Sequence, residues 1–369
     1  MNLKKLSLAA LSLSLTVGLL AGCAGGTDGS AASPSAPASP SASSTPSVAP
    51  SATPEASAAM PEASAAAVKT GMSVESGAEK SKNATAEKDG QVQTNALVVA
   101  VTVDDAGVID ACVIDGIQCK MNFNAKGELT TDPDTMFQTK NELGEAYGMK
   151  KASAIGKEWN EQAAAFAAYA VGKTVDELKG IAVDADGKAT DTDLASSVSV
   201  ALSDFIPGIE AAVKNATHMG AQKGDKLGLS ASTNMSKSKN AAADKEGQAQ
   251  SYSTMAAVTT NGDTITSCYI NSVQATVKFN AAGEITTDLS VPFKTKNELG
   301  DDYGMRKASA IGKEWNEQAA AFCAYVTGKT LDEVKSIAVT DGKASDADLA
   351  ASVTVGIGEF QELVEKAAK

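Results

Sequence analysis

Sixteen consecutive residues, KASAIGKEWNEQAAAF, occur twice in this 369-residue chain, at 151–166 and again at 307–322. Their surroundings repeat as well. The run from Thr139 to Gly144 returns from Thr295 to Gly300, Tyr147-Gly148-Met149 returns as Tyr303-Gly304-Met305, Cys112 matches Cys268, and Asp193 matches Asp348. The spacing stays near 156 residues, far above the ~20–50 residues of solenoid repeats, so each copy is expected to own a core. The copies span 68–216 and 226–369 and are joined by 217–225, a short polar link holding two glycines.

Within a copy the pattern is α+β: a small antiparallel sheet packed with helices. Residues 97–103 are rich in β-branched side chains and end in the turn signal Asp104-Asp105-Ala106-Gly107; with 108–114 they read as a hairpin, and 119–123 as a third strand. The second copy agrees, with strands at 255–259 and 265–270 around Asn261-Gly262-Asp263. The shared block reads as a helix. Ile155, Trp159, Phe166 and Tyr169 or Ala170 share one face, Ser153 is placed to cap its start, and Gly172 and Gly328 mark its end. Thr174 and Thr330 are placed to cap a short helix (175–178 in the first copy), and 181–183 and 197–200 read as strands. Amphipathic helices at 205–216 and 360–368 close the copies.

The chain opens with Lys4, Lys5 and an apolar run over 6–20. This is the plan of a secretory signal, and it falls short of the ~20 residues a membrane span needs. The ending Leu20-Ala21-Gly22-Cys23 resembles the lipobox of bacterial lipoproteins, which implies cleavage after residue 22 and acylation of Cys23, for example with palmitate. Acyl chains contribute ~0.8 kcal/mol per buried CH₂, so several on one residue anchor a chain firmly. Seven of the ten prolines lie between Gly25 and Ala67, among Ala, Ser and Thr and without leucine, isoleucine or an aromatic residue. Such a segment has nothing to bury and reads as an extended stalk. The expected organisation is therefore a signal peptide at 1–22 and a lipidated stalk at 23–67, on the outer face of a bacterial membrane, Gram-positive by the length of the stalk.

Net charge is −13, and −12 remains without residues 1–67. An acidic body repels phosphate backbones, which argues against nucleic-acid binding. His218 is the one histidine, so a histidine triad, a multi-histidine metal site and a Cys-x-x-Cys-His haem attachment are excluded.

The informative stretch is Asp193-Leu194-Ala195-Ser196-Ser197-Val198-Ser199, with its partner Asp348-Leu349-Ala350-Ala351-Ser352-Val353-Thr354. Both run Asp, two spacers, a small residue, Ser, Val and a hydroxyl. A hydroxyl is a weak nucleophile unless something activates it, so a phosphoester here needs an external enzyme. The stretch resembles the flavinylation motif of FMN-binding domains. There a flavin transferase uses FAD to join FMN, through its phosphate, to the final hydroxyl. The resemblance extends to the lipobox, the stalk, the two copies and the Tyr-Gly-Met-Lys/Arg-Lys-Ala-Ser block, and so covers nearly the whole mature chain. It is to the tandem FMN-binding surface lipoproteins of Gram-positive extracellular electron transfer.

The resemblance implies an FMN-binding-domain-like fold and covalent FMN on Ser199 and Thr354, with Asp193, Asp348, Ser197 and Ser352 completing the motif. It further implies a carrier rather than a turnover enzyme, reduced by a membrane dehydrogenase through a quinone pool and delivering electrons to extracellular acceptors. The motif departs from the family where Ser197 and Ser352 replace Gly, Val198 and Val353 replace Ala, and Ala351 replaces Ser. Tyr147, Tyr303, Trp159 and Trp315 are candidates to stack on a flavin, the tryptophans more readily read as core. Lys150-Lys151 and Arg306-Lys307 are candidates to steady a phosphate or are solvated surface. Two other functions stand beside the carrier: an unmodified surface binding or structural lipoprotein, and a flavin-dependent extracellular reductase. For the thiols, disulfides Cys112–Cys119 and Cys268–Cys323 and buried free thiols are equal readings.

Overall fold

The computed structural model describes residues 66–369. The signal peptide, Cys23 and the stalk through residue 65 lie outside the described residues. The fold is α+β, with small antiparallel sheets packed against helices in two sheet-bearing regions. No helix among the described residues is long and apolar enough to cross a membrane.

In the first region β1 (Ala67–Gly77), β2 (Gly90–Val103) and β3 (Ile109–Phe123) pair antiparallel. The β2–β3 turn closes as its composition dictates: the Asp104 carboxylate accepts the amides of Ala106 and Val108, both at 2.9 Å. The stretches 108–114 and 119–123 are one strand rather than two, because Asp115-Gly116-Ile117-Gln118 pairs without a break against residues 95–98. Asp115 is tolerated there because its buried carboxylate accepts the amides of Gly116 (2.7 Å) and Asn141 (3.0 Å). Helices follow: α1 (Lys140–Leu143), α2 (Trp159–Ala170), α3 (Val175–Lys179), α4 (Thr192–Ala195) and α5 (Phe205–Lys214).

The stretch joining the copies is largely strand. β4 (Thr217–Gln222) pairs antiparallel with β1, giving the order β3-β2-β1-β4. Gly220, at φ 115°, passes so near the Thr266 carbonyl that a side chain there would collide with it. The second region then repeats the first: β5 (Lys226–Asn234), β6 (Gly247–Asn261), β7 (Thr264–Phe279), α6 (Lys296–Leu299), α7 (Trp315–Val326), α8 (Leu331–Lys335), the short pair β8 (Val339–Thr340) and β9 (Lys343–Ala344), α9 (Ala347–Ala350) and α10 (Gly358–Ala368). Thr174 and Thr330 cap α3 and α8 as expected, each in a reciprocal box with Glu177 or Glu333.

Three local expectations need correction. Residues 181–183 form no strand, Val183 making only an isolated bridge to Ala189. The shared block becomes helical only at Trp159 and Trp315, capped by Glu158 and Glu314 rather than by Ser153. The preceding residues fold into turns, because the buried Glu158 carboxylate accepts the amides of Met149 (2.7 Å) and Lys150 (2.9 Å), which doubles the chain back. Residues 197–200 are not a strand, since the amides of Ser197 and Val198 bond the Leu194 carbonyl and those of Ser199 and Val200 a glutamine side chain, instead of a neighbouring strand.

Each copy does own a core between sheet and helices. Val99, Val101 and Ile114 meet Trp159, Phe166 and Phe205 in one; Val258, Ile265 and Ile270 meet Trp315, Phe322 and Phe360 in the other. A third core belongs to both copies. Met72, Val98, Met121 and Phe123 pack there with Met235, Met255, Val277 and Phe279, so the central strands are apolar on both faces, as 98–101 are. The contact is reciprocal. Phe123 stacks on its own counterpart Phe279, with centroids 4.4 Å apart and planes at 10°. The amide of Ala84 donates to Gly283 (2.9 Å) while that of Ala241 donates to Gly127 (2.7 Å). Thr94 meets its counterpart Ser251 at 2.8 Å. This self-complementary pattern is that of a two-fold dimer contained in one chain.

Candidate functional site

Each motif stretch hangs between a short helix and a core. Asp191 and Asp346, neither singled out from sequence, cap α4 and α9 by accepting the amides of Leu194 (3.0 Å) and Leu349 (2.9 Å). Both leucines are buried and root the helices in the cores. Asp193 and Asp348 instead lie exposed within the first turn, where a negative charge suits the helix dipole. The hydroxyls of Ser197 and Ser352 donate to the carbonyls of Leu194 (3.0 Å) and Leu349 (3.2 Å) and finish those helices. Val198 and Val353 are fully buried. One residue further, Ser199 and Thr354 emerge half-buried.

What holds those hydroxyls is a residue the apolar pattern hid. Gln162 and Gln318 share the core-facing side of α2 and α7 with the tryptophan and phenylalanine, and both are 0% exposed. The Gln318 Oε1 atom accepts the Thr354 amide (2.8 Å), the Thr354 hydroxyl (3.1 Å) and the Val355 amide (3.1 Å). Gln162 accepts from Ser199 and Val200 at the same three distances. The Nε2 end donates to Ser309 Oγ and the Lys313 carbonyl in one copy, and to Ser153 Oγ and the Lys157 carbonyl in the other. Each amide thus fastens the loop at 199–200 or 354–355 to the doubled-back turn, with every polar atom satisfied. A polar residue amid the apolar face of an otherwise amphipathic helix was the available signal.

The aromatic and basic candidates are engaged with other partners. Trp159 and Trp315 are core residues, set edge-on to Phe205 and Phe360 at 5.8 Å. Their free faces are covered by Lys140 and Lys296, each with Nζ 4.4 Å from the ring. The same two ammonium groups sit over Tyr147 (4.9 Å) and Tyr303 (4.8 Å). Burial is the main cause that lowers the Lys140 pKa to about 8, helped by Lys80. In the second copy Lys296 is buried and donates to the Tyr252 hydroxyl at 2.8 Å. Asn95 occupies the equivalent strand position in the first copy, where a cavity of about 610 Å³ lies beside Lys140, Tyr147 and Trp159. Arg306 is taken up by Asp301 (2.6 Å) and Glu317 (3.1 Å), and Lys150 by Glu145 (3.5 Å).

A second cavity, of about 650 Å³, lies between β4 and α7 and is lined by Cys268 and Cys323 among others. Neither cavity is lined by Ser199 or Thr354. No group of three or more His, Cys, Asp or Glu side chains among the described residues is placed to hold a metal ion. No protein family, curated protein or solved structure matches the chain.

Proposed function

We propose that this chain is a membrane-anchored extracytoplasmic electron carrier with FMN joined by phosphoester bonds to Thr354 and Ser199. Electrons arrive from a quinone-linked membrane dehydrogenase and leave to extracellular acceptors. The observation that carries the reading is the pair of hydroxyls on half-buried residues, each held by a buried glutamine through the same three hydrogen bonds.

The residues fit a phosphoester at this point. An amide oxygen has two lone pairs, and the two backbone amides on each glutamine fill them without help from the hydroxyl. Replacing O–H by O–P therefore removes a donor that the loop does not need, and the loop stays fastened. Ser199 and Thr354 are half-buried rather than sealed in the core, while the buried Val353 and Val198 beside them fix the loop. Bound flavin would supply the redox chemistry that these side chains lack. A covalent link also suits a carrier outside the cell, where a dissociated cofactor would diffuse away.

Co-expression of residues 68–369 with a flavin transferase and FAD tests the proposal. The denatured chain retains yellow colour and gains one FMN mass per copy; Thr354→Ala removes one and Ser199→Ala the other. Full loading of both variants would refute the assignment of these acceptors. Turnover of the loaded protein with small acceptors would point to a reductase instead.

A further inference from the structure

In the second copy Cys268 on β7 and Cys323 on α7 face each other with their sulfurs 3.1 Å apart, closer than unbonded sulfurs normally sit. Both are buried, and both line the cavity of about 650 Å³. The first copy lacks this arrangement, because Ala167 stands where the second has Cys323. Its other thiol, Cys119, is no substitute. Cys112 and Cys119 lie seven residues apart on the unbroken β3, which at ~3.3 Å per residue separates them by roughly 23 Å, far beyond the ~7 Å limit for bridging Cα atoms.

We infer that Cys268 and Cys323 are a disulfide-forming pair that staples α7 to β7 in the second copy alone. The step is thiol–disulfide exchange with an incoming disulfide R–S–S–R, borne by a small organic molecule or by a thiol oxidase. One protein thiolate attacks it and releases R–SH, and the second protein thiolate displaces the remaining R–SH to close the bond. Two protein thiols are oxidised and one external disulfide is reduced to two thiols. The cavity gives a small disulfide a route to the pair. Persistence of the bond in the cell rests on the proposed export, since a reducing cytosol would undo it. Its formation by the purified chain does not.

The full-length chain is unfolded and reduced, then refolded in a glutathione redox buffer and alkylated under denaturing conditions before and after reduction. Cys23 apart, labelling of the four thiols at 112, 119, 268 and 323 drops to two. The unlabelled pair maps to one cross-linked peptide two hydrogen masses lighter, and the urea midpoint is higher than in the reduced protein. Cys323→Ala, which copies the first repeat and is expected to fold, loses the bond and the midpoint shift. A natively folded chain with all four thiols labelled overturns the inference, as does a bond between any other pair. Chain recovered from cells with both thiols reduced, yet able to close the bond after refolding, supports the pairing and counts against export.

Discussion

The amide oxygen of Gln318 lies 2.8 Å from the Thr354 nitrogen, across 36 residues of sequence, and makes the helix of one segment the clamp for the loop of another. Gln318→Leu keeps the shape and removes the acceptor, leaving two loop amides without their partner. Unsatisfied donors cost ~1–3 kcal/mol each when water cannot reach them; the half-exposed loop reduces that, so a loss of about 2 kcal/mol in urea unfolding is expected. Loading by the transferase should fall at Thr354 and stay intact at Ser199, as read by mass. Normal loading of Thr354 in this variant would mean that the clamp has no part in presenting the hydroxyl.

Removing the hydroxyl alone should scarcely disturb the fold. Thr354→Ala and Ser199→Ala keep both backbone donors on the glutamine and leave the buried valines in place. Each is expected to shift stability by less than ~1 kcal/mol. Thermal melts of the unloaded variants check this. A large drop would show that the hydroxyl serves the fold, and would weaken the reading that it is kept for modification.

Lys140 makes stability depend on alkaline pH. Its folded-state pKa is lowered to about 8, first by burial and then by Lys80, whereas the unfolded chain holds the proton until about 10.4. Between these values the unfolded state binds more protons, so stability rises with pH across that window and is flat above it. Below about 8 the folded state carries a buried ammonium at a cost of ~1.4 kcal/mol per unit of displacement, an upper bound given its partial exposure. Lys140→Met should be more stable than the parent at pH 7 and should lack the rise between pH 8 and 10. Urea titrations at four or five pH values decide it; an unchanged slope in the variant would assign the rise to another group.

The shared core predicts that the two copies melt as one body. Phe123 and Phe279 are both fully buried and stack across the pseudo-two-fold. Phe123→Ala removes a ring from that core at an expected ~3–5 kcal/mol, and the whole transition should move down together. Calorimetry tests this through the ratio of calorimetric to van't Hoff enthalpy. Two resolved transitions in the parent protein would show that the copies unfold independently despite their contact.

What the sequence alone determined was local or repeated. Duplication is plain in an identical sixteen-residue block. Hydroxyl-capped helices at Thr174 and Thr330 and the Asp104 turn need only bonds between near neighbours. β-branching and turn residues place the hairpin turns, although β2, β6 and β7 each run seven to nine residues beyond the stretches so marked, and the α+β class follows. The tertiary structure alone decided everything that depends on partners distant along the chain. It made 217–222 a strand by giving it β1 to pair with, and joined the copies through a face each alone would expose. It also turned Gln162 and Gln318 from misfits on an apolar helix face into the clamps of the loops at 199–200 and 354–355. The physical reason is range. Hydrogen bonds within a turn or a helix cap are written by adjacent residues, whereas burial and satisfaction of a polar group depend on what the rest of the chain brings to it.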